Sequence, residues 1–314
     1  MESQKYRLLT RSDLDGLVCA VLLRHLDMIG QIDLIDHPSV MQEGRVEVRD
    51  TDIIANLPYV PGAWLAFDHH LSEALRNRKD PRHIIDPDAP SAARVIYEYY
   101  GGKSGFPEFF DDIMAAVDKA DAGRFSRQEI LYPTDWALLN FLVDKRTGIE
   151  DWGKFAISEE QFKLSLIDWI GKMPIDEIMQ KPDVAQRAEL YFHYEAKYKS
   201  QLISSAIIHQ NIVVLDCRSQ QKIYPGNRFI VYALYPQCNV SIQVKHDPET
   251  EKTTFSVGKS IINNTSDANI GQLMLKYGGG GHRAAGACHV SETEAETVLA
   301  EIIESLTDPG CQPV

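Results

Sequence analysis

Cysteine is scarce in this chain, with five among 314 residues. Cys19, Cys217, Cys238, Cys288 and Cys311 are scattered and form no Cys-x-x-Cys pair, which excludes a disulfide framework and a thiolate zinc site. Each reads as a small buried hydrophobe. No apolar run approaches the roughly 20 residues of a membrane helix, and the opening Met1-Glu2-Ser3-Gln4-Lys5 has no apolar core of a secretory signal. The expectation is a soluble, cytoplasmic protein with no membrane partner. Positive charge is also in deficit: 32 basic against 45 acidic side chains leave a net charge of −13. A protein that lives on long nucleic-acid duplexes needs a basic face, so long duplex is excluded as the natural partner. Internal repeats and low-complexity segments are absent.

At this length the chain is expected to hold two domains, each with its own core. The first third alternates short apolar runs with helical patterns, as a parallel sheet covered by helices requires. Tyr6 to Leu9, Ile32 to Ile35, Val46 to Val48, Ile53 to Ala55 and Trp64 to Phe67 read as strands. Leu17 to Leu26, Ala92 to Tyr100 and Asp111 to Ala120 read as helices. From Trp136 to about Tyr198 the period is helical, broken near Gly148 and Pro174, and the segment from Pro182 to Lys199 is the connector. Beyond Ser204 β-branched runs return at Ile212 to Leu215, Phe229 to Leu234, Val240 to Val244 and Thr253 to Val257. The last two form a hairpin, with Pro248 and Lys252 between them. A helix from Ile270 to Lys276, a short strand after the glycines and a terminal helix from Glu292 to Leu306 complete an α/β chain with domains at 1–199 and 200–314.

Three clusters follow expected strands, where α/β sheets place ligands. The first is Arg11-Ser12-Asp13-Leu14-Asp15-Gly16. Asp13 and Asp15 face one side of an extended segment, Gly16 lets the backbone turn, and two carboxylates on one cavity call for a cation. Asp-x-Asp-Gly by itself also occurs in loops and helix caps. The second, Asp68-His69-His70, combines imidazoles that ligate first-row metals with a carboxylate able to fix a ring tautomer, although a surface histidine pair reads the same way. The third is Asp118 to Arg124. Oxygen and nitrogen donors without thiolates favour Mn2+, Mg2+ or a related ion. Near the C-terminus Gly278-Gly279-Gly280-Gly281-His282-Arg283 is either a flexible loop or a cradle of backbone N–H groups for a phosphate. It lacks the lysine-hydroxyl ending of a P-loop.

In order and spacing, Asp13-x-Asp15-Gly16, Asp68-His69-His70, Asp121-Ala122-Gly123-Arg124-Phe125 and Gly279-Gly280-Gly281-His282 resemble the DHH phosphoesterase superfamily with its C-terminal DHH-associated domain, in the branch of exopolyphosphatase-like and oligoribonuclease-like proteins. The resemblance spans nearly the whole chain. It implies an N-terminal parallel-sheet domain, a smaller mixed-sheet α/β domain and an active site in the cleft between them. It also implies a manganese-dependent phosphohydrolase, with one or two ions, in which Asp13, Asp15, His69 and Asp121 are metal ligands. Asp68 supports the histidines and His70 faces the scissile phosphate. Arg124, Lys259, Gly279, Gly280, Gly281, His282 and Arg283 hold the substrate.

The implied substrate is small and phosphorylated: a short single-stranded oligonucleotide, a dinucleotide, a nucleotide phosphate or polyphosphate. A homodimer is left open. Two positions depart from the family pattern. Arg11 stands where many members have a histidine or aspartate ligand, and a guanidinium cannot ligate a cation. Asn56 stands where the family places a bridging aspartate, with Asp50 and Asp52 nearby as acidic substitutes. The alternative is therefore a non-catalytic nucleotide-binding or regulatory protein with a degraded metal site.

Overall fold

The computed structural model describes residues 5–76, 80–247 and 250–307. Met1 to Gln4, Pro248 and Cys311 lie outside the described residues. The chain divides into two compact units, Met1–Phe125 with Pro133–Leu190, and Ser126–Tyr132 with Tyr191–Val314.

The first unit is built on five strands, β1 (Tyr6–Arg11), β2 (Ile29–Ile35), β3 (Asp52–Ala55), β4 (Leu65–Asp68) and β5 (His83–Ile85). Their spatial order is β2-β1-β3-β4-β5 and every pairing is parallel. Ile53-Ile54-Ala55 and Leu65-Ala66-Phe67 are buried throughout, the near-continuous apolar pattern expected of strands covered on both faces. Thr10 sits beside Ala55 and Ala55 beside Phe67, so Arg11, Asn56 and the Asp68-His69-His70 triplet all emerge from the carboxyl edge of the sheet.

Helix α1 (Leu14–His25) follows β1, and ten of its twelve residues, Leu14 to Leu23, are buried. Such a helix has no solvent face to solubilise it and belongs in the middle of a core. It packs against the later helices α4, α5 and α8, whose ranges follow. Each fully buried Leu or Val side chain contributes about 1.5–3 kcal/mol relative to exposure. The helices in chain order are α2 (Ser39–Gln42), α3 (Leu71–Arg76), α4 (Ala92–Tyr99), α5 (Phe110–Asp121), α6 (Arg127–Leu131, part of the second unit), α7 (Asp135–Val143), α8 (Glu159–Ile170), α9 (Ile175–Met179) and α10 (Pro182–Ser205). On α10 the Arg187 guanidinium is fully buried between the rings of Phe155 and Phe162, at 4.0 and 3.9 Å from their centroids, and forks onto Glu150. Among the described residues no helix is long and apolar enough to cross a membrane.

The second unit carries a six-stranded mixed sheet of β6 (Ala206–His209), β7 (Ile212–Asp216), β8 (Val240–Asp247), β9 (Lys252–Lys259), β10 (Gly280–Gly281) and β11 (Ala285–Ser291) in the order β10-β11-β9-β8-β7-β6. Strands β8 and β9 alternate buried and less buried residues. Their buried face packs with α12 (Ile270–Leu275) and α13 (Ala295–Leu306) around Val244, Phe255, Met274 and Ile302. The remaining helix, α11, spans Ile230–Leu234.

Two expected strands are absent. Val46 to Val48 runs as irregular chain, because both edges of β1 are already taken by β2 and β3 and the two valines pack onto the core around Leu9 and Ile54 instead. The run from Phe229 to Leu234 holds the helical α11, preceded by a turn in which the Asn227 side chain accepts the Phe229 amide at 3.0 Å. A short apolar β-branched run does not distinguish strand from buried helix by periodicity.

Candidate metal and phosphate site

The turn from β1 into α1 is fixed by sterics before any chemistry enters. A Cβ at Gly16 would lie 1.9 Å from the Arg11 carbonyl oxygen, so this position admits only glycine. Asp13 is the N-cap of α1 and its Oδ1 accepts the Gly16 amide at 3.1 Å. The same Oδ1 accepts Asn56 Nδ2 at 3.0 Å, and Oδ2 pairs with Arg11 Nε at 3.0 Å. Asp15, in the first turn, is buried and reaches the start of α4, where Ala92 and Ala93 donate their amides to its two oxygens at 2.9 and 2.8 Å.

From the end of β4, Asp68 holds its neighbours. Its Oδ1 accepts the amides of His69 and His70 at 2.8 and 3.2 Å and the ring Nδ1–H of His70 at 2.6 Å. His69 turns the other way, with Nδ1 donating to the Ala89 carbonyl at 3.1 Å. That bond leaves Nε2 as the lone-pair nitrogen. Nε2 lies 3.1 Å from Asp121 Oδ2 and 4.0 Å from Asp15 Oδ2, aligned for a hydrogen bond with neither; it is a buried nitrogen with no such partner among the described residues. Asp121, at the end of α5, completes the group. One ligand atom each from Asp15, His69 and Asp121 falls within 4.8 Å of the others.

The electrostatics state the same demand. Burial and the carboxylates of Asp121 and Asp13 push the Asp15 carboxyl well above its ordinary range. Burial would lower the His69 imidazole, yet Asp121 and Asp15 outweigh it and push it up to about 9. A buried carboxylate that draws a proton in this way, as Asp15 does, is stabilised equally by a divalent cation. The same two carboxylates that draw a proton onto His69 Nε2 fit an ion that would take that proton's place.

Asp52 lies at the other end of β3, where Arg7 Nε and Nη2 donate to its two oxygens at 2.9 and 2.6 Å. Asp50 lies in the preceding turn. Arg124 is exposed just beyond α5. Sequence reasoning overlooked Arg146. It stands in a 3-10 turn, Lys145–Thr147, with its guanidinium forked onto Asp144 at 2.7 and 2.8 Å. Asp36 ties this turn to the β1 end by accepting from both Lys145 Nζ, at 2.6 Å, and Ser12 Oγ. Burial opposes the charge on Arg146, but Asp144 and the fields of Asp13 and Asp121 strengthen its hold on its proton. A Lys-Arg pair ending a helical stretch carries no motif, so nothing in the sequence singled it out.

In the second unit the glycine run is neither open loop nor free cradle. Gly278 closes α12 with a positive φ, its amide bonding to Leu275 and the Gly279 amide to Met274. Gly280 and Gly281 form β10 against β11. A Cβ at Gly281 would meet the Ala285 carbonyl oxygen at 2.3 Å, whereas one at Gly280 would enter open space. His282 and Arg283 are exposed after this strand, and Lys259, at the end of β9, donates from its amide to the Ala284 carbonyl at 2.8 Å.

The chain belongs to the DHH phosphoesterase superfamily, and it is a phosphohydrolase. Among solved structures it is similar to PggH, a pGpG-specific phosphodiesterase from Vibrio cholerae, with 49% sequence identity, 96% of this chain and 99% of that chain covered, and a TM-score of 0.82. It shares its fold with a DHH domain described as a member of the s1p family of ribosomal proteins, at 13% identity, 97% and 88% coverage and a TM-score of 0.65. No protein-family model matches the chain. No curated protein matches it either.

Proposed function

We propose that the protein hydrolyses the phosphodiester bond of a short linear dinucleotide of the pGpG kind in a reaction that depends on Mn2+. The observation that carries this reading is the 49% identity to a pGpG-specific phosphodiesterase over 96% of the chain. Water adds across one P–O bond, so pGpG would yield two molecules of GMP. Asp15, His69 and Asp121 hold the ion. When bound, a divalent cation makes water a stronger nucleophile and neutralises charge on phosphate oxygens. Its mixed carboxylate and imidazole donors suit Mn2+ better than Mg2+, which prefers oxygen alone.

The chain's own residues supply the rest. Asp68 orients the His70 ring through Nδ1, which leaves Nε2 to give a proton to the departing oxygen. Burial would lower His70, but the Asp68 hydrogen bond outweighs it and favours the protonated, donating form. Arg11 and Arg146 offer positive charge and N–H groups for phosphate oxygens.

The test is a turnover panel of pGpG, cyclic dinucleotides, longer oligonucleotides, nucleoside bisphosphates and polyphosphate, with chelator-treated protein with and without Mn2+. Release of GMP from pGpG that requires Mn2+ and falls at least about 100-fold in Asp121→Asn is expected. Tight pGpG binding with no product would instead make the protein a dinucleotide receptor.

A further inference from the structure

The carboxylates at this site do not play one role. Asp15 and Asp121 converge with the unpartnered Nε2 of His69. Asp13 is already engaged on both oxygens: two N–H groups, from Gly16 and Asn56, converge on Oδ1, and the Arg11 guanidinium sits on Oδ2. A carboxylate with three donors on its two oxygens has little left for a metal ion. Arg11 also acts beyond this pair, because its positive charge helps to hold the neighbouring Asp121 ionised.

Phosphohydrolases with two metals place the ions about 3.5–4 Å apart so that both clamp the attacked phosphate. Here a second ion at that distance would approach a fixed guanidinium. The unpartnered buried oxygens nearby are Asn56 Oδ1 and Asp68 Oδ2, a neutral amide and one half of a carboxylate whose other oxygen takes three N–H groups. They offer too little negative charge to offset a dication beside Arg11. Arg146 adds a further positive field on Asp13 and Asp121.

We propose that the centre binds a single divalent ion on Asp15, His69 and Asp121, and that the Arg11 guanidinium, anchored by Asp13, permanently fills the place of a second cation. The charges then match locally: the dication faces Asp15 and Asp121, and Arg11 faces Asp13. This rests on the metal-dependent reading given above. It assigns Asp13 as the anchor of Arg11 rather than as a ligand, and Asn56 as the amide that fixes Asp13. In the reaction, Arg11 would grip one oxygen of the attacked phosphate with N–H groups, where a second ion would have bound it directly.

The test is metal stoichiometry rather than turnover. The full chain, stripped with chelator and titrated with Mn2+, is assayed by calorimetry and by elemental analysis after desalting, with electron paramagnetic resonance to separate isolated from coupled ions. One Mn2+ per chain with an uncoupled spectrum is expected. Arg11→Ala, which uncovers Asp13, is expected to take up a second, coupled ion at millimolar Mn2+, and Arg11→Lys, which keeps the charge, to remain at one. Two coupled ions in the unaltered protein would overturn this inference and leave the phosphodiesterase reading standing. Uptake of one ion only by folded Arg11→Ala would also overturn it. No Mn2+ uptake by the unaltered protein would remove both this inference and the metal-dependent reading.

Discussion

Asp121 Oδ2 stands 3.1 Å from His69 Nε2, and Asp15 Oδ2 stands 4.0 Å from the same nitrogen, yet among the described residues only Asp15 of the two carboxylates is bonded into the backbone, through the amides that open α4. The two aspartates should therefore separate chemistry from stability. Asp121→Asn is expected to weaken Mn2+ binding by about 100-fold or more with little change in melting temperature. Asp15→Asn is expected to weaken binding similarly and also to cost about 1–3 kcal/mol of stability, since an amide cannot accept from both Ala92 and Ala93. Calorimetric titration and thermal unfolding of both variants check the contrast; equal stability loss in the two would count against it.

His83 lies flat against Tyr59, ring centroids 4.6 Å apart, with its buried Nε2 lacking a hydrogen-bond partner among the described residues. Burial holds its imidazole below the ordinary value of 6.5. Above that pH both folded and unfolded chains carry it neutral and nothing is lost. As pH falls below about 6.5 the unfolded chain takes up a proton that the native chain resists, so stability declines until the native value is reached. Denaturant unfolding at pH 7.5 and 5.5 should show this decline, and His83→Phe, which keeps the stack, should reduce it.

Arg187 places a buried cation between two aromatic rings with Glu150 as its counter-charge. Replacing it by Met leaves Glu150 unpaired and removes both cation–ring contacts. A loss of about 3 kcal/mol in urea unfolding is expected, with the Mn2+ stoichiometry unchanged.

Gly280 and Gly281 are neighbours under opposite constraints. Gly281→Ala meets the Ala285 carbonyl and a φ of 150°, so it should destabilise the β10–β11 hairpin, seen as faster amide exchange in β11. Gly280→Ala enters open space and should leave stability within about 0.5 kcal/mol. If substrate approaches that strand closely, the same variant raises KM; an unchanged KM would place the substrate elsewhere.

Most of the sheet was legible because parallel strands buried on both faces leave unbroken apolar runs, as at Ile53-Ile54-Ala55 and Trp64 to Phe67. The β8–β9 hairpin was legible for the complementary reason, alternation with charged residues at its turn. His83 to Ile85 was not, because three residues at a sheet edge carry no period. Phe229 to Leu234 misled because a short apolar β-branched run reads alike as strand and as buried helix. At the site, the sequence brought Asp15, His69 and Asp121 into one hypothesis through motif order. It could not tell that Asp13 would take N–H groups from Gly16 and Asn56 and pair with Arg11, since hydrogen-bond direction is a property of three dimensions. Nor could it weigh Arg146 above Arg124, because the bridge from Lys145 through Asp36 to Ser12 joins residues far apart in the chain.

The Asp-x-Asp-Gly signature is in effect two messages written together. Gly16 answers to the Arg11 carbonyl 1.9 Å from where its Cβ would be, a demand of the strand-to-helix turn that persists whatever the site does. Asp15 answers in part to the amides that open α4 and, on the reading proposed above, in part to a cation. A descendant that gave up hydrolysis would still need the glycine for the turn and would lose fold stability with either aspartate, through the α1 cap at Asp13 and the α4 amides at Asp15, whereas Asp121 makes no such backbone bond among the described residues; in diverged copies the turn reports ancestry and Asp121 reports employment.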